Sequence, residues 1–299
     1  MRFVGSFVVP KARTNYADDY DFWISKGRGQ GKFRNYNPWL TIRDVKSPVG
    51  CSRIWSQKFK RIIHTLSYGE TLAFFILERQ DDVVDVREQY PLDPANTRDI
   101  CHEMGLQHPG VGGRDIVMTS DFLVTYSRNA QFSYKAIQIK DTRETLLEPR
   151  TNSKLQVEEK YWERKGVPYA IWLSSEFSPD LKANFKLLSG VRNTLTRLTD
   201  QDLRFISDLM MEITEAAPEL PYSECSHLIE LHGTQLSLSD CLRILVACKL
   251  WNFPLAQKKI VSSILRDFSP ANSECVGKGC SCASSQEHQT DGDKHDSGK

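Results

Sequence analysis

The sequence has 299 residues, 40% of them hydrophobic and 26% charged, with a formal net charge of +1, which is enough chain for one large domain or two ordinary ones with a real core. No apolar run reaches the ~18 residues of a membrane span, and the opening "MRFVGSFVVPKART" has too short an apolar centre for a secretory signal; both point to a cytoplasmic protein without a membrane segment. Eight cysteines, scattered from Cys51 to Cys282, suit reduced thiols better than a disulfide framework.

The small net charge hides an asymmetry. Residues 1–64 hold 13 Lys and Arg against 4 Asp and Glu, and the rest of the chain is correspondingly acidic. The basic groups are interleaved with Tyr16, Tyr20, Trp23, Phe33, Tyr36, Trp39 and Trp55, a composition that suits contact with nucleic-acid backbone and bases, against the plainer reading of a solvated face over an aromatic core. Within this region "KGRGQGK" (26–32) is Gly-rich and basic but lacks the Lys-Ser or Lys-Thr ending of a Walker loop and follows no apolar strand. A DNA-contacting loop carrying Lys26, Arg28, Lys32 and Arg34 is the functional reading, and an ordinary surface loop is the alternative.

Further along, "SYGETLAFFILERQ" has Ser67 followed three residues later by Glu70, the capping-box spacing, and then an apolar run from Leu72 to Leu77; a helix starts near Tyr68. "VVDVREQYPL" alternates and reads as a strand, and "DIVMTSDFLVTY" and "YKAIQIK" read as two more, joined by the turn-prone "SRNA". "NSKLQVEEKYWERKG" is a helix closed by Gly166, with "VPYAIWLSS" a buried strand after it. This order implies an α/β core, a mixed sheet flanked by helices, over residues 1–177. Beyond "SSEFSPDLKANF" the periodicity is helical only: Leu187 and Leu188, Leu203 to Ile213, and Leu238 to Trp251 with Ser239 and Asp240 as its N-cap. Residues 178–268 therefore read as a smaller helical domain, winged-helix-like if "NFPLAQKKIVSSILRDF" adds a hairpin wing instead of another helix. Residues 269–299 lack large apolar side chains and should be disordered; Cys275, Cys280, Cys282, His288 and His295 in them have no zinc-finger spacing.

The period of two in "YKAIQIK" puts Tyr134, Ala136, Gln138 and Lys140 on one face and Ile137 and Ile139 on the other. Asp121 opens the apolar "FLV" of the neighbouring strand, where a carboxylate needs a hydrogen bond, an ion pair or a cation. Glu70 can bring a second carboxylate from the preceding helix. Two carboxylates, an amide and an ammonium suit Mg²⁺ beside a phosphate, with Lys140 facing the developing charge. Taken singly, Glu70 is explained as a capping residue, Asp121 as a strand-end salt bridge, and Gln138 with Lys140 as a solvated edge. Taken together, they form the two-strand signature of restriction-endonuclease-like nucleases.

Seven stretches in order, "KGRGQG", "NPWLT", "SYGETLAFF", "VVDVREQYPL", "HPGVGGRDIVMTSDFLV", "AIQIK" and "EEKYWERKGVPY", make residues 24–175 resemble the TnsA family, the endonuclease subunits of heteromeric bacterial transposases. The resemblance implies a restriction-endonuclease-like domain followed by a helical one, and Mg²⁺-dependent cleavage of DNA at the 5′ ends of a transposon. It also implies a DDE-type transposase partner, TnsB, that cuts the 3′ ends, and a regulatory AAA+ ATPase, TnsC, contacted by the C-terminal domain. The family's catalytic positions carry over as Glu70, Asp121, Gln138 and Lys140, the first three holding the metal, Gln138 through its side-chain oxygen where a carboxylate is more usual. A second reading, from the acidic, helix-rich C-terminal half, is a non-catalytic assembly module bridging DNA, transposase and ATPase.

Overall fold

The computed structural model describes residues 15–45, 50–195, 197–231 and 233–271. The chain divides into two compact units between Ser178 and Pro179. Of the tail expected to be disordered from residue 269, Ser269 and Pro270 instead pair as a strand with Trp251 and Asn252, while its His- and Cys-bearing part from residue 272 onward, like residues 1–14, lies outside the described residues. In the first unit the elements run α1 (Tyr20–Ser25), a hairpin of β1 (Ser52–Ser56) and β2 (Arg61–Thr65), α2 (Tyr68–Arg79), β3 (Val83–Pro91), α3 (Pro94–Glu103), a ribbon of β4 (Gly110–Val111) and β5 (Arg114–Asp115), β6 (Thr119–Arg128), β7 (Gln131–Lys140), α4 (Arg143–Leu147), α5 (Pro149–Arg164) and β8 (Tyr169–Leu173).

One four-stranded sheet, in the order β3-β6-β7-β8, organises this unit. The first two pairings are antiparallel and the last is parallel, so the sheet is mixed. The β6–β7 hairpin closes at Arg128↔Gln131 through Asn129 and Ala130, whose φ values of 50° and 61° supply the two left-handed positions that a two-residue turn matching the strand twist requires. β8 returns parallel to β7 because α4 and α5 form the crossover between them. Side chains alternate across the sheet accordingly. Phe122, Val124, Ile137 and Ile139 pack with Ala73, Phe74 and Leu77 of α2 and with Ile54 and Ile63 of the β1–β2 hairpin. Leu123 and Ala136 pack instead with Ile100 and Cys101 of α3 and Val157, Tyr161 and Trp162 of α5. The result is the α/β core, a mixed sheet flanked by helices, that the order of elements implied. β8 departs from its expected burial: of its five residues only Leu173 is buried, because the strand lies at the sheet edge.

Helix α5 is docked by a polar relay in the otherwise apolar layer. Trp162 Nε1 donates to Ser120 Oγ at 2.8 Å, and Ser120 Oγ donates to Glu158 Oε1 at 2.5 Å. Burial is the main reason that Glu158 is pushed up to about 8 from its ordinary 4.5.

The Gly-rich loop resolves as a packing device. Gly29, at φ 68°, lies so close to β3 that a Cβ there would stand 2.3 Å from Pro91 Cγ. Arg28 anchors the loop: it donates to Trp39 O at 2.8 Å, pairs with Asp44 at 3.0 Å and stacks over Trp23.

The second unit contains α6 (Pro179–Ser189), α7 (Arg192–Leu195), α8 (Asp200–Ala216), a hairpin of β9 (Leu228–Leu231) and β10 (Thr234–Ser237), α9 (Leu238–Ala247), and β11 (Trp251–Asn252) paired with β12 (Ser269–Pro270). The N-cap of α9 is Ser237, one turn before Asp240, and not Ser239: a cap must stand in extended backbone with its hydroxyl three residues from its carboxylate partner, and Ser237 at ψ 159° satisfies both. The helix stops at Ala247, and Trp251 is buried in β11 instead. The segment around Lys259 forms no further α-helix: its ends pair as a short antiparallel ladder, Trp251↔Pro270 and Asn252↔Ser269, and between them run two tight 3-10 turns, Ile260–Ser262 and Leu265–Asp267. Buried Asn184 of α6 holds this segment, donating to Leu255 O and Lys258 O and accepting from Ile260 N at 2.7–2.9 Å.

Glu158 makes the stability of the fold depend on pH. The folded state favours its protonated carboxyl, so its contribution is complete below pH 4.5 and is lost as pH rises through about 8. Glu158→Gln keeps the shape without the titration, and its stability relative to wild type should climb between pH 5 and pH 8 by about 2 kcal/mol or more, read by thermal or urea unfolding. A difference that stays flat with pH would contradict this account.

Candidate active site

At one end of the sheet the β6–β7 ladder gives way to side-chain bonds. Past the Phe122↔Ile137 pair, the Asp121 N–H donates to Gln138 Oε1 at 3.1 Å, and the Ile139 N–H donates to Asp121 Oδ2 at 2.7 Å. Asp121 and Gln138 are thus bound into each other's strands, and both are buried. The arrangement answers why a carboxylate opens an apolar strand: one of its oxygens stands in for a missing ladder acceptor.

Glu70 arrives from the first turn of α2. Ser67 caps the helix by accepting the Glu70 N–H at 3.1 Å, while Glu70 Oε2 accepts the Leu66 N–H at 2.7 Å. The positive end of the helix favours a carboxylate there. Between the two acids lies a residue that the sequence pattern did not single out: Gln89 of β3, whose Nε2 is 3.3 Å from Glu70 Oε2 and 3.3 Å from Asp121 Oδ1. Two carboxylates therefore share one neutral donor in a buried place. Burial, and then Asp121, push Glu70 up to about 8. Burial raises Asp121 as well, opposed by the Lys140 ammonium, the Ile139 N–H and Gln89. Lys140 ends β7, half-buried.

Chemically, the set is hard and oxygen-rich. Glu70 and Asp121 are two buried acids with the Lys140 ammonium acting on Asp121, and the Gln138 oxygen keeps a second lone pair. Among the described residues no three His, Cys, Asp or Glu side chains gather in a cluster that could hold a metal ion, so the carboxylates here number two. The residues fit a hard divalent cation that keeps several of its waters.

The four expected DNA-binding residues divide. Lys26, Lys32 and Arg34 are exposed, whereas Arg28 is half-buried and engaged with Trp39 and Asp44. A second basic surface escaped the sequence reading. A cavity of about 540 Å³ is lined by His108, Arg114, Arg150 and Lys154 among others. Lys154 is half-buried, and its ammonium is depressed by burial and then by the charges of Arg150 and Lys140. The signal available in sequence was Arg150 and Lys154 four apart on one helix face.

Residues 80–173 match the family described as the TnsA-like endonuclease N terminal, a span that includes Gln89, Asp121, Gln138 and Lys140 but not Glu70. The chain is similar to the transposon Tn7 transposition protein TnsA of Escherichia coli, with 41% identity over 169 residues, covering 56% of this chain and 61% of the relative.

The like-charge pair has a measurable cost. Glu70→Gln keeps an oxygen for both Leu66 and Gln89 and removes one of the two charges. Because Glu70 is raised from 4.5 to about 8, its contribution to stability is complete below pH 4.5 and lost as pH rises through about 8. In chelator at pH 9, the variant should unfold at a higher temperature than wild type, with the advantage shrinking toward pH 5. Equal melting at pH 9 would show that the pair is not strained.

Proposed function

We infer the function of this chain from the TnsA-like endonuclease domain that it carries over residues 80–173 and from the acid pair at the end of its sheet. It is a DNA endonuclease of transposition that hydrolyses the 5′, non-transferred strand at transposon ends. The observation that supports this reading most is the convergence of Glu70 Oε2 and Asp121 Oδ1 on one amide nitrogen, each at 3.3 Å, within an oxygen-only donor set.

Glu70 and Asp121 would hold Mg²⁺, with Gln138 adding its side-chain oxygen. When bound, Mg²⁺ supplies a Lewis acid for the phosphoryl oxygen and lowers the pKa of the attacking water. The protein's own groups do the rest. Asp121 is fixed by the Ile139 N–H, and Glu70 by the Leu66 N–H and the helix cap, so neither carboxylate has to be ordered at the moment of reaction. Lys140 offers its ammonium to the negative charge that develops on the phosphate. Arg150 and Lys154, lining a second basic cavity, take flanking phosphates of the strand, and exposed Lys26, Lys32 and Arg34 take further ones, with Arg28 holding their loop in place.

The partners follow the family pattern: a DDE-type transposase, TnsB, for the 3′ strands and an AAA+ ATPase, TnsC, bound through the second unit. The second reading, an assembly module without its own chemistry, draws on that unit, where Phe205 and Met211 of α8 are 51% and 41% exposed.

Labelled transposon-end DNA, incubated in Mg²⁺ with and without the partner transposase, separates the two readings. Partner-dependent nicking of the 5′ strand should fall about a thousandfold or more in Asp121→Ala and in Lys140→Ala. Unchanged nicking would move the chemistry to the partner and leave this chain as a scaffold. Arg150→Ala with Lys154→Ala should weaken DNA binding and lower the slope of log affinity against log salt by about 1 to 2. A slope equal to that of wild type would remove this cavity from the DNA path.

A further inference from the structure

Gln89 holds an unusual place. It lies on β3 between Glu88, paired with Phe122, and Tyr90, paired with Ser120, so it stands opposite Asp121 across the β3–β6 pairing. Its φ is 48°, a left-handed conformation in the middle of a strand, and its side chain is 3% exposed. Strain of this kind persists only where the surroundings enforce it. Here Trp39 N–H is bonded to the Gln89 carbonyl at 3.3 Å, and on the preceding residue the Glu88 side chain is paired with Arg61.

Three neighbours settle which way the amide points. Thr119 Oγ1 donates to Gln89 Oε1 at 3.1 Å, and the NH₂ group is turned toward the two acids. Both bonds to the acids are long, 3.3 Å each, outside the usual range for N–H···O. One neutral donor is shared between two acids and stands beyond ordinary bonding distance of both.

We propose that the Gln89 carboxamide is the resident counter-group of the acid pair in the metal-free protein and the group that a divalent cation must displace, making Gln89 a positioning residue that sets metal affinity. The inference rests on the assignment of Glu70 and Asp121 as metal ligands. Its physical basis is competition for the same oxygens: the amide's two N–H hydrogens and a cation both seek Glu70 Oε2 and Asp121 Oδ1, and like-signed charge keeps them from sharing these oxygens. With the amide engaged, the metal-free acids are calmed and the metal is held weakly. This suits a nuclease whose cation is meant to settle only when a DNA phosphate completes the site.

The test is Mn²⁺ titration of the full chain without DNA, by calorimetry or electron paramagnetic resonance, on wild type, Gln89→Met, Gln89→Glu and Glu70→Gln. Wild type should bind Mn²⁺ and Glu70→Gln should lose that binding. Gln89→Met, which keeps the length and removes the donor, should bind about tenfold tighter. Its melting temperature should fall without metal and return to the wild-type value when saturated with Mn²⁺, a pattern that a simple packing defect does not give. Gln89→Glu, with a third carboxylate, should bind tighter still, and it carries the test alone should Gln89→Met fail to fold without metal. Binding by either Gln89 variant that is equal to or weaker than wild type, with Glu70→Gln still inactive in binding, overturns the role of Gln89 and leaves the metal assignment standing. Binding that Glu70→Gln does not alter overturns both.

Discussion

Two buried carboxylates that share a single neutral donor set the terms for the first unit. Like charges in a low-dielectric place repel strongly, and each separately loses the hydration it had in the unfolded chain. The fold answers with fixed dipoles: the Leu66 N–H and the capped start of α2 for Glu70, the Ile139 N–H for Asp121, and one amide for both. These groups lower the cost without abolishing it, as the raised carboxyls of both acids attest. On the proposed reading, a site lined by these oxygens and bordered by Lys140 would receive a cation.

The architecture follows from holding those two acids in register. Asp121 depends on β6 and β7 separating at one end, and the tight Asn129–Ala130 turn at the other end sets which residues face each other along the way. Glu70 depends on α2 being pinned by Ala73, Phe74 and Leu77 against the sheet face that carries Phe122 and Ile137. The opposite face is closed by α3 and α5, and α5 carries Arg150 and Lys154 on the wall of a cavity of their own. Gln89 is placed by the side of the sheet farthest from the β7 lysine, through Glu88, whose carboxylate is paired with Arg61 of the β1–β2 hairpin. Three layers thus each deliver one part of the site.

Much of this was legible in the residues. The Ser67–Glu70 spacing announced α2 and placed a carboxylate at its start, the alternation in "YKAIQIK" placed Gln138 and Lys140, and the order of elements implied the mixed sheet. What was missed shares a cause. Gln89 sits in a strand pattern where a buried polar residue reads as one more alternation error; its meaning comes from a left-handed φ and from a cross-strand neighbour 32 residues away. The Gly-rich loop suggested phosphate because composition cannot tell close backbone approach to a ligand from close approach to Pro91. In the second unit, Ser237 rather than Ser239 caps α9, since two serines near one aspartate look alike until the backbone extends at one of them. The segment organised by Asn184 has no periodicity to read, because its order comes from one side chain's hydrogen bonds and not from a helix or strand.

The most direct test of the central claim is a crystal structure of the full chain grown with Mn²⁺, with anomalous scattering collected at the manganese edge. An anomalous peak should stand between the carboxylates of Glu70 and Asp121, with an oxygen of each about 2.0–2.3 Å from the ion and the Gln89 amide turned away from both. A peak elsewhere, or Gln89 still bridging two metal-free acids at saturating Mn²⁺, would contradict it.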